Sequence, residues 1–243
     1  MKLRILTFNI QHCRSYVYRD EDRIDFDLFA DTIRCFDPDI VGLNEVRGEG
    51  THPAYTAQAQ ILAEKLGYHY YFYPALNVCG YGLYGNAILS KHPILNPEII
   101  PIPDPERKLD GKFYETRCVA KAEFALGGGL TVLVTHFGLN PDEAQNAADT
   151  VCAAIDHAKT PVILTGDFNL RPDNPLLDPI RQRMTDTEDY FRCPGLMSYP
   201  SDRPYEKIDY VFTSPSVKVE FATIPQMEVS DHRPLFAVVE IPD

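Results

Sequence analysis

The strongest constraint on the fold is a recurring pattern in which a short apolar run, typical of a β-strand, ends in an acid, an amide or an imidazole. "ILTFN" ends at Asn9, "TVLVTH" ends at His136, and "VILTGDFN" runs into Asp167 and Asn169. A single polar residue at a strand end is an ordinary turn former. Its recurrence predicts that the strand ends gather along one edge of a sheet, where loops usually build a functional site.

Asp167 and Asn169 are two positions apart in this pattern. Side chains alternate faces along a strand, so residues i and i+2 share a side and lie roughly 7 Å apart. We therefore expect Asp167 and Asn169 to point the same way while Phe168 packs behind them. The other members of the pattern are Glu45 in "IVGLNE", Asp209 in "KIDYVF", and Asp231 and His232 in "SDHRPLF".

Strand-like runs outnumber helical ones along the chain. Three segments have helical spacing, "RIDFDLFADTIRCF", "AYTAQAQILAEKLG" and "PDEAQNAADTVCAAIDHAK", and Gly127 to Gly129 signal a hairpin between two strands. This mixture of hairpins and crossovers argues against one parallel sheet. It predicts an α+β fold in which two mixed β-sheets pack face to face with the helices outside. No linker or repeat interrupts the sequence, so we expect a single domain over residues 1–243.

Composition limits the class of protein. The net charge of −12 disfavours a broad grip on nucleic acid, which needs many cations against phosphates. No apolar stretch is long enough to span a bilayer, and no cleavage site of a signal peptide follows the first residues. The six cysteines are scattered without a C-x-x-C pair, which favours reduced thiols and a cytoplasmic location. Nothing in the sequence indicates an obligate protein partner.

Six motifs, "TFN", "LNEV", "THF", "GDFN", "IDYVF" and "SDHRPL", appear in this order between Thr7 and Leu235. Together they resemble the endonuclease/exonuclease/phosphatase superfamily, which has the deoxyribonuclease I-like fold. The resemblance implies a four-layer αββα sandwich and a divalent cation, usually Mg²⁺ and in some cases Mn²⁺. It also implies hydrolysis of a phosphodiester or phosphomonoester by an activated water.

The resemblance also implies the metal ligands. Glu45 resembles the main metal carboxylate, Asn9 would lie nearby through its side-chain oxygen, and Asp231 resembles a further carboxylate on the metal side. Hard cations such as Mg²⁺ prefer oxygen ligands and keep several waters, so one or two protein carboxylates suffice.

The remaining residues of the pattern match catalytic positions of the family. His232 and Asp209 resemble a His–Asp pair, in which the histidine either takes the proton of the water or holds the phosphate. Asp167 resembles the residue that orients or deprotonates the water, and Asn169 would donate to a phosphate oxygen. His136 resembles a second histidine, a candidate acid for the leaving oxygen.

Weaker matches complete the set of candidates. Arg117 lies where family members often carry an arginine that binds phosphate, since a guanidinium fork suits phosphate oxygens. Asn140 is expected to cap the helix that begins at Pro141. Asn86 matches a family strand start without an assigned role, and His12 is the one remaining histidine that would line a cleft.

Several alternatives stay open at this point. The substrate is a nucleic acid, a phospholipid head group or a small phosphorylated metabolite. If it is a nucleic acid, the protein is an endonuclease or exonuclease. A non-enzymatic binding module of the same fold is the less favoured alternative, because every central group is present. A calcineurin-like metallophosphatase is disfavoured, because the sequence lacks its D-x-H, G-N-H and G-H-x-H clusters.

Overall fold

The computed structural model describes residues 1–243 and contains twelve β-strands and four α-helices. The strands are β1 (Lys2–Asn9), β2 (Ile40–Gly50), β3 (His69–Val78), β4 (Gly82–Ser90), β5 (Leu95–Pro101), β6 (Cys118–Phe124), β7 (Leu130–His136), β8 (Val162–Asp167), β9 (Thr185–Asp186), β10 (Asp209–Thr213), β11 (Lys218–Thr223) and β12 (Leu235–Glu240). The helices are α1 (Phe26–Phe36), α2 (Gln58–Leu66), α3 (Pro141–His157) and α4 (Asp178–Arg181).

The strands form two sheets of six, with the orders β11-β12-β1-β2-β4-β3 and β5-β6-β7-β8-β10-β9. Both sheets are mixed, because β1 pairs with β2 in parallel and β7 pairs with β8 in parallel while the other pairs are antiparallel. The predicted hairpin at Gly127 to Gly129 joins β6 to β7. This arrangement confirms the α+β fold with two mixed sheets.

Alternation along β1 shows how the layers stack. Leu3 and Ile5 belong to a buried cluster between the two sheets, whereas Leu6 and Phe8 belong to a second cluster with α1 and α2. A third cluster packs the outer face of β7, β8 and β10 against α3. Burying each such side chain contributes about 1.5–3 kcal/mol. The order of layers is therefore helix, sheet, sheet, helix, as the sequence predicts.

Local signals set the helix bounds. The carboxylate of Asp25 accepts a hydrogen bond from the backbone N–H of Leu28 and so caps α1. At the start of α3, Glu143 Oε2 accepts a hydrogen bond from the Asn140 N–H at 3.2 Å, and Pro141 takes the first helical position. Asn140 thus occupies the N-cap position, but its side chain accepts no hydrogen bond from the first turn, where the Glu143 N–H donates to Asp142 Oδ1 at 3.0 Å. None of the helices combines the length and the hydropathy needed to cross a membrane.

Candidate active site

Most of the predicted polar residues meet where the central strands of both sheets end, but Glu45 lies within β2, which continues to Gly50 instead of ending at this residue. Asn9 lies beside Asn44 across β1 and β2, and Asp167 lies opposite His136 on one side and Asp209 on the other. A cleft of about 480 Å³ opens over these strand ends. Seven predicted residues line it, namely Glu45, Arg117, His136, Asp167, Asn169, Asp231 and His232. Asn9 and Asp209 are buried beneath them.

Irregular backbone conformations direct the side chains of Glu45 and Asn169 towards the cleft. The pairing of β2 with β4 shifts register between Leu43 and Val46, and within this bulge Glu45 adopts φ 58°. Bulges commonly re-aim a side chain next to an active site. Asn169 adopts φ 50°, just after β8 has ended at Asp167. A left-handed conformation is costly for glutamate, whereas asparagine tolerates it better than most residues.

Asp167 and Asn169 of the GDFN motif face the same side for a different physical reason from the one predicted. Phe168 is fully buried and Asp167 and Asn169 both face the cleft, as predicted. However, the strand stops at Asp167, and Asn169 is turned back so that its N–H donates to Asp167 Oδ1 at 2.9 Å. Gly166 adopts φ 142°, and a Cβ there would collide with the carbonyl oxygen of Thr135. A sharp turn rather than strand alternation therefore places the two side chains together.

Asn44 ties the two sheets together beneath the cleft. Its Nδ2 donates to Asn86 Oδ1 at 2.8 Å and to the Thr135 carbonyl at 2.8 Å, and its Oδ1 accepts from the Asp167 N–H at 3.0 Å. Asn86 in turn donates to the Cys118 carbonyl at 3.1 Å. Sequence reasoning missed Asn44, because its full burial is visible only in the structure.

Asp167 is the centre of the arrangement. Its Oδ2 accepts a hydrogen bond from Asn9 Nδ2 at 3.0 Å and lies 3.5 Å from His136 Nε2 and 3.6 Å from His232 Nε2. Burial, with a further contribution from the Asp209 charge, raises the pKa of Asp167 to about 7. The carboxyl group is thus suited to exchange a proton near neutral pH.

His232 is held as a charged ring. Its Nδ1 donates to Asp209 Oδ2 at 2.8 Å, and its ring packs against Tyr199 at a centroid separation of 4.8 Å. Burial opposes the charge, but the carboxylates of Asp209 and Asp167 outweigh it and raise the pKa of His232 to about 10. The predicted His–Asp pairing therefore exists as a contact, and Tyr199 is a cleft residue that sequence reasoning missed.

His136 has the opposite electrostatic environment. Its Nδ1 lies 2.6 Å from Arg117 Nη1, which itself lies 2.8 Å from Glu115 Oε1. Burial lowers the pKa of His136 well below its usual value, and the charges of Arg117 and His232 lower it further. The structure thus pairs a neutral imidazole with a charged one across the cleft. Glu115 has no motif around it and was not identified from the sequence.

Glu45 and Asp231 supply oxygen atoms at one side of the cleft. Glu45 Oε1 accepts from Asn9 Nδ2 at 3.0 Å, and Asp231 Oδ2 accepts from Gln11 Nε2 at 2.8 Å. Burial raises the pKa of Asp231, and the nearby Glu45 charge raises it further. Two carboxylates that repel each other in this way form a donor set suited to a hard divalent cation. Asn9 presents its nitrogen to the carboxylates, since its Oδ1 accepts from the Gln11 N–H at 3.1 Å.

A second group, Asp167, Asp209 and His232, brings three potential ligand atoms within 4.8 Å of one another. Two of these residues are already joined to each other by the hydrogen bond between His232 Nδ1 and Asp209 Oδ2 at 2.8 Å. A separate cavity of about 280 Å³ beside α2 contains none of the predicted residues. His12 does not line the main cleft.

Comparison with known proteins identifies the family of the chain. The family model for the endonuclease/exonuclease/phosphatase family matches residues 6–232. No curated protein matches the chain at a significant level. The matched range contains every motif used above except the end of the last one.

Solved structures resemble the chain along its whole length. An endonuclease/exonuclease/phosphatase from Beutenbergia cavernae DSM 12333 has a TM-score of 0.82 and 24% identity, covering 99% of this chain and 72% of that one. A mannosyl-6-phosphatase from Bacteroides thetaiotaomicron VPI-5482 has a TM-score of 0.80 and 17% identity, covering 98% and 100%. ANGEL2, a 2',3'-cyclic phosphatase, has a TM-score of 0.75 and 18% identity, covering 98% and 95%. At these identities the likeness shows the shared fold.

Proposed function

The chain belongs to the endonuclease/exonuclease/phosphatase family, and from that premise we propose that it is a divalent-metal-dependent hydrolase that cleaves a phosphoester with an activated water. The observation that carries the proposal is the convergence on Asp167 Oδ2. Three nitrogen atoms surround this oxygen, from Asn9 at 3.0 Å, His136 at 3.5 Å and His232 at 3.6 Å. His136 and His232 also line the cleft, where their ring nitrogens can donate to an anionic oxygen of a substrate.

The electrostatics divide the catalytic tasks. Asp167, with its pKa raised to about 7, is the group best matched to take a proton from water at neutral pH. His232 is already an imidazolium at that pH, so it cannot accept the proton; it holds the phosphoryl group and can donate a proton to the leaving oxygen. His136 is neutral and contributes a hydrogen bond rather than a proton. Asn169 uses one amide hydrogen on the Phe137 carbonyl at 2.9 Å and keeps the other for a phosphoryl oxygen.

Glu45 and Asp231 would hold the cation, which we propose to be Mg²⁺ or Mn²⁺. The ion when bound supplies positive charge to the phosphoryl oxygens. Asn9 would join through its oxygen only after its amide turns over, which breaks the hydrogen bond from the Gln11 N–H.

For the substrate we favour a small phosphorylated metabolite over a nucleic acid or a phospholipid surface. The cleft of about 480 Å³ has the size of a small-molecule site. Its lining carries the carboxylates of Glu45, Glu115, Asp167, Glu206 and Asp231 but a single guanidinium, that of Arg117. A polyanion would meet more negative than positive charge there. The mannosyl-6-phosphatase among the structural neighbours supports including sugar phosphates in the search.

At the mouth of the cleft, Phe113 and Leu139 are both 64% exposed. Such apolar side chains give an organic leaving group a surface to pack against.

The test is a panel of phosphorylated sugars, nucleotides, phospholipids and oligonucleotides, together with bis-p-nitrophenyl phosphate as a generic substrate. Each is assayed with Mg²⁺, with Mn²⁺ and with EDTA. We expect turnover that requires the metal and is highest among the small monoesters or diesters. Absence of turnover with every divalent ion and every phosphoester would refute the proposal and favour a binding module.

A further inference from the structure

The guanidinium of Arg117 is turned onto protein groups rather than left open to solvent. Its Nη1 lies 2.6 Å from His136 Nδ1 and 2.8 Å from Glu115 Oε1. The Arg117 side chain is 11% exposed and that of Glu115 is 17% exposed. The sequence predicts that Arg117 binds phosphate, and the structure places the same guanidinium against a histidine.

The chemistry of the contact settles which nitrogen of His136 carries the hydrogen. A guanidinium has only N–H donors and no acceptor, and it stays charged in proteins. At 2.6 Å from Arg117, Nδ1 of His136 must therefore present its lone pair. In the neutral ring the hydrogen is then on Nε2, the atom 3.5 Å from Asp167 Oδ2 that faces the reaction centre.

We propose that Glu115 and Arg117 form a positioning pair that fixes His136 as its Nε2–H tautomer, and that Glu115 affects the turnover rate through these contacts. The Nδ1–H tautomer of His136 would be unfavourable at this position. It would direct an Nε2 lone pair at the Asp167 carboxylate, whose Oδ2 lies 3.5 Å away, replacing attraction by repulsion. The kinetic part of this inference rests on the proposed hydrolase activity, whereas the tautomer does not.

Glu115 is itself anchored to the fold. Its backbone N–H donates to Glu143 Oε1 at 3.1 Å, and Glu143 lies in the first turn of α3. The start of a helix, a carboxylate, a guanidinium and an imidazole are thus joined in one chain of contacts. Removing the carboxylate leaves the Arg117 charge without its partner and free to leave His136.

The first test uses ¹⁵N NMR on metal-free protein at neutral pH, which reads the protonation of each ring nitrogen of His136. The wild type should show a protonated Nε2 and an unprotonated Nδ1. Arg117→Met should populate both tautomers, and Glu115→Gln should shift the same signals in the same direction by a smaller amount. Wild-type ring shifts in Arg117→Met would overturn the inference, and wild-type shifts in Glu115→Gln would remove Glu115 from it.

Glu98→Gln is the matched control, because Glu98 makes an ion pair of the same 2.8 Å length with Lys121 on the exposed side of the sheet. The ¹⁵N signals of the His136 ring in Glu98→Gln should equal those of the wild type. If Arg117→Met does not fold, Arg117→Lys keeps the charge without the planar fork and should also mix the tautomers.

The second test is kinetic and uses any substrate that the panel identifies. Glu115→Gln should lower kcat about tenfold or more while KM stays within about twofold, the pattern of a lost positioning contact. A raised KM with unchanged kcat would instead assign the pair to substrate binding and overturn the inference. If the wild type hydrolyses no phosphoester, the proposed function fails, and the NMR result still decides the tautomer.

Discussion

Replacing Asn44 by alanine should destabilise the protein far more than the loss of one amide would usually do. Asn44 makes three hydrogen bonds, to Asn86 Oδ1, to the Thr135 carbonyl and from the Asp167 N–H, and all four residues are buried. Each bond is worth about 1 kcal/mol net, and a buried group left unpaired costs about 1–3 kcal/mol. We therefore expect Asn44→Ala to lower the free energy of unfolding by about 3 kcal/mol or more.

The assay is urea denaturation of the metal-free protein, with the slope of the transition compared between variants. The control is Asn146→Ala in α3, because Asn146 Nδ2 makes a single exposed hydrogen bond to the Pro103 carbonyl at 2.8 Å. That variant should lose no more than about 1 kcal/mol. If Asn44→Ala and Asn146→Ala proved equally stable, the polar bridge between the sheets would not have the importance assigned to it.

The remaining predictions concern the reaction centre. Asp167→Ala and His232→Ala should each lower kcat by about 10²-fold or more without unfolding the chain, and wild-type rates in either would remove that residue from the mechanism. Glu45→Gln should shift the Mg²⁺ dependence of the rate to higher concentration; an unchanged metal titration would exclude Glu45 as a ligand. In metal-free protein the raised pKa of His232 stabilises the fold fully below pH 6.5, and that contribution should decline by up to about 1.4 kcal/mol per pH unit towards pH 10. Urea denaturation across that range, compared with His232→Gln, measures this decline, and equal slopes in both proteins would contradict it.

Much of the fold could be predicted because the relevant signals are local. Apolar alternation identified the central strands, and Pro141 and Gly67 marked a helix start and a helix end. β5 (Leu95–Pro101) escaped prediction, because it is an edge strand whose side chains are almost all exposed and which contains Pro97. An exposed edge strand lacks the apolar alternation on which sequence reasoning depends.

Some residues of the candidate site could also be predicted from the sequence, whereas others could not. Asn9, His136, Asp167, Asp209 and His232 could be expected together because each closes a strand or stands at a strand end, and the structure brings them to one point. Their roles remain predictions.

Residues whose importance depends on a partner from elsewhere in the fold gave no such signal. Glu115 is an ordinary acid until Arg117 is seen bent towards His136, and Asn44 is an ordinary strand amide until β7 and β8 lie beneath it. Tyr199 meets His232 across 33 positions of sequence, a contact that no periodicity encodes.

The most direct measurement of the central claim is a crystal structure of the protein soaked with Mg²⁺ and orthovanadate, an analogue of the phosphoryl group in transit. The account predicts a magnesium ion bound by Glu45 and Asp231, and a vanadate oxygen within hydrogen-bond distance of His136 Nε2 and His232 Nε2. Vanadate bound away from these two nitrogens, or a magnesium ion that ignores Glu45, would contradict it.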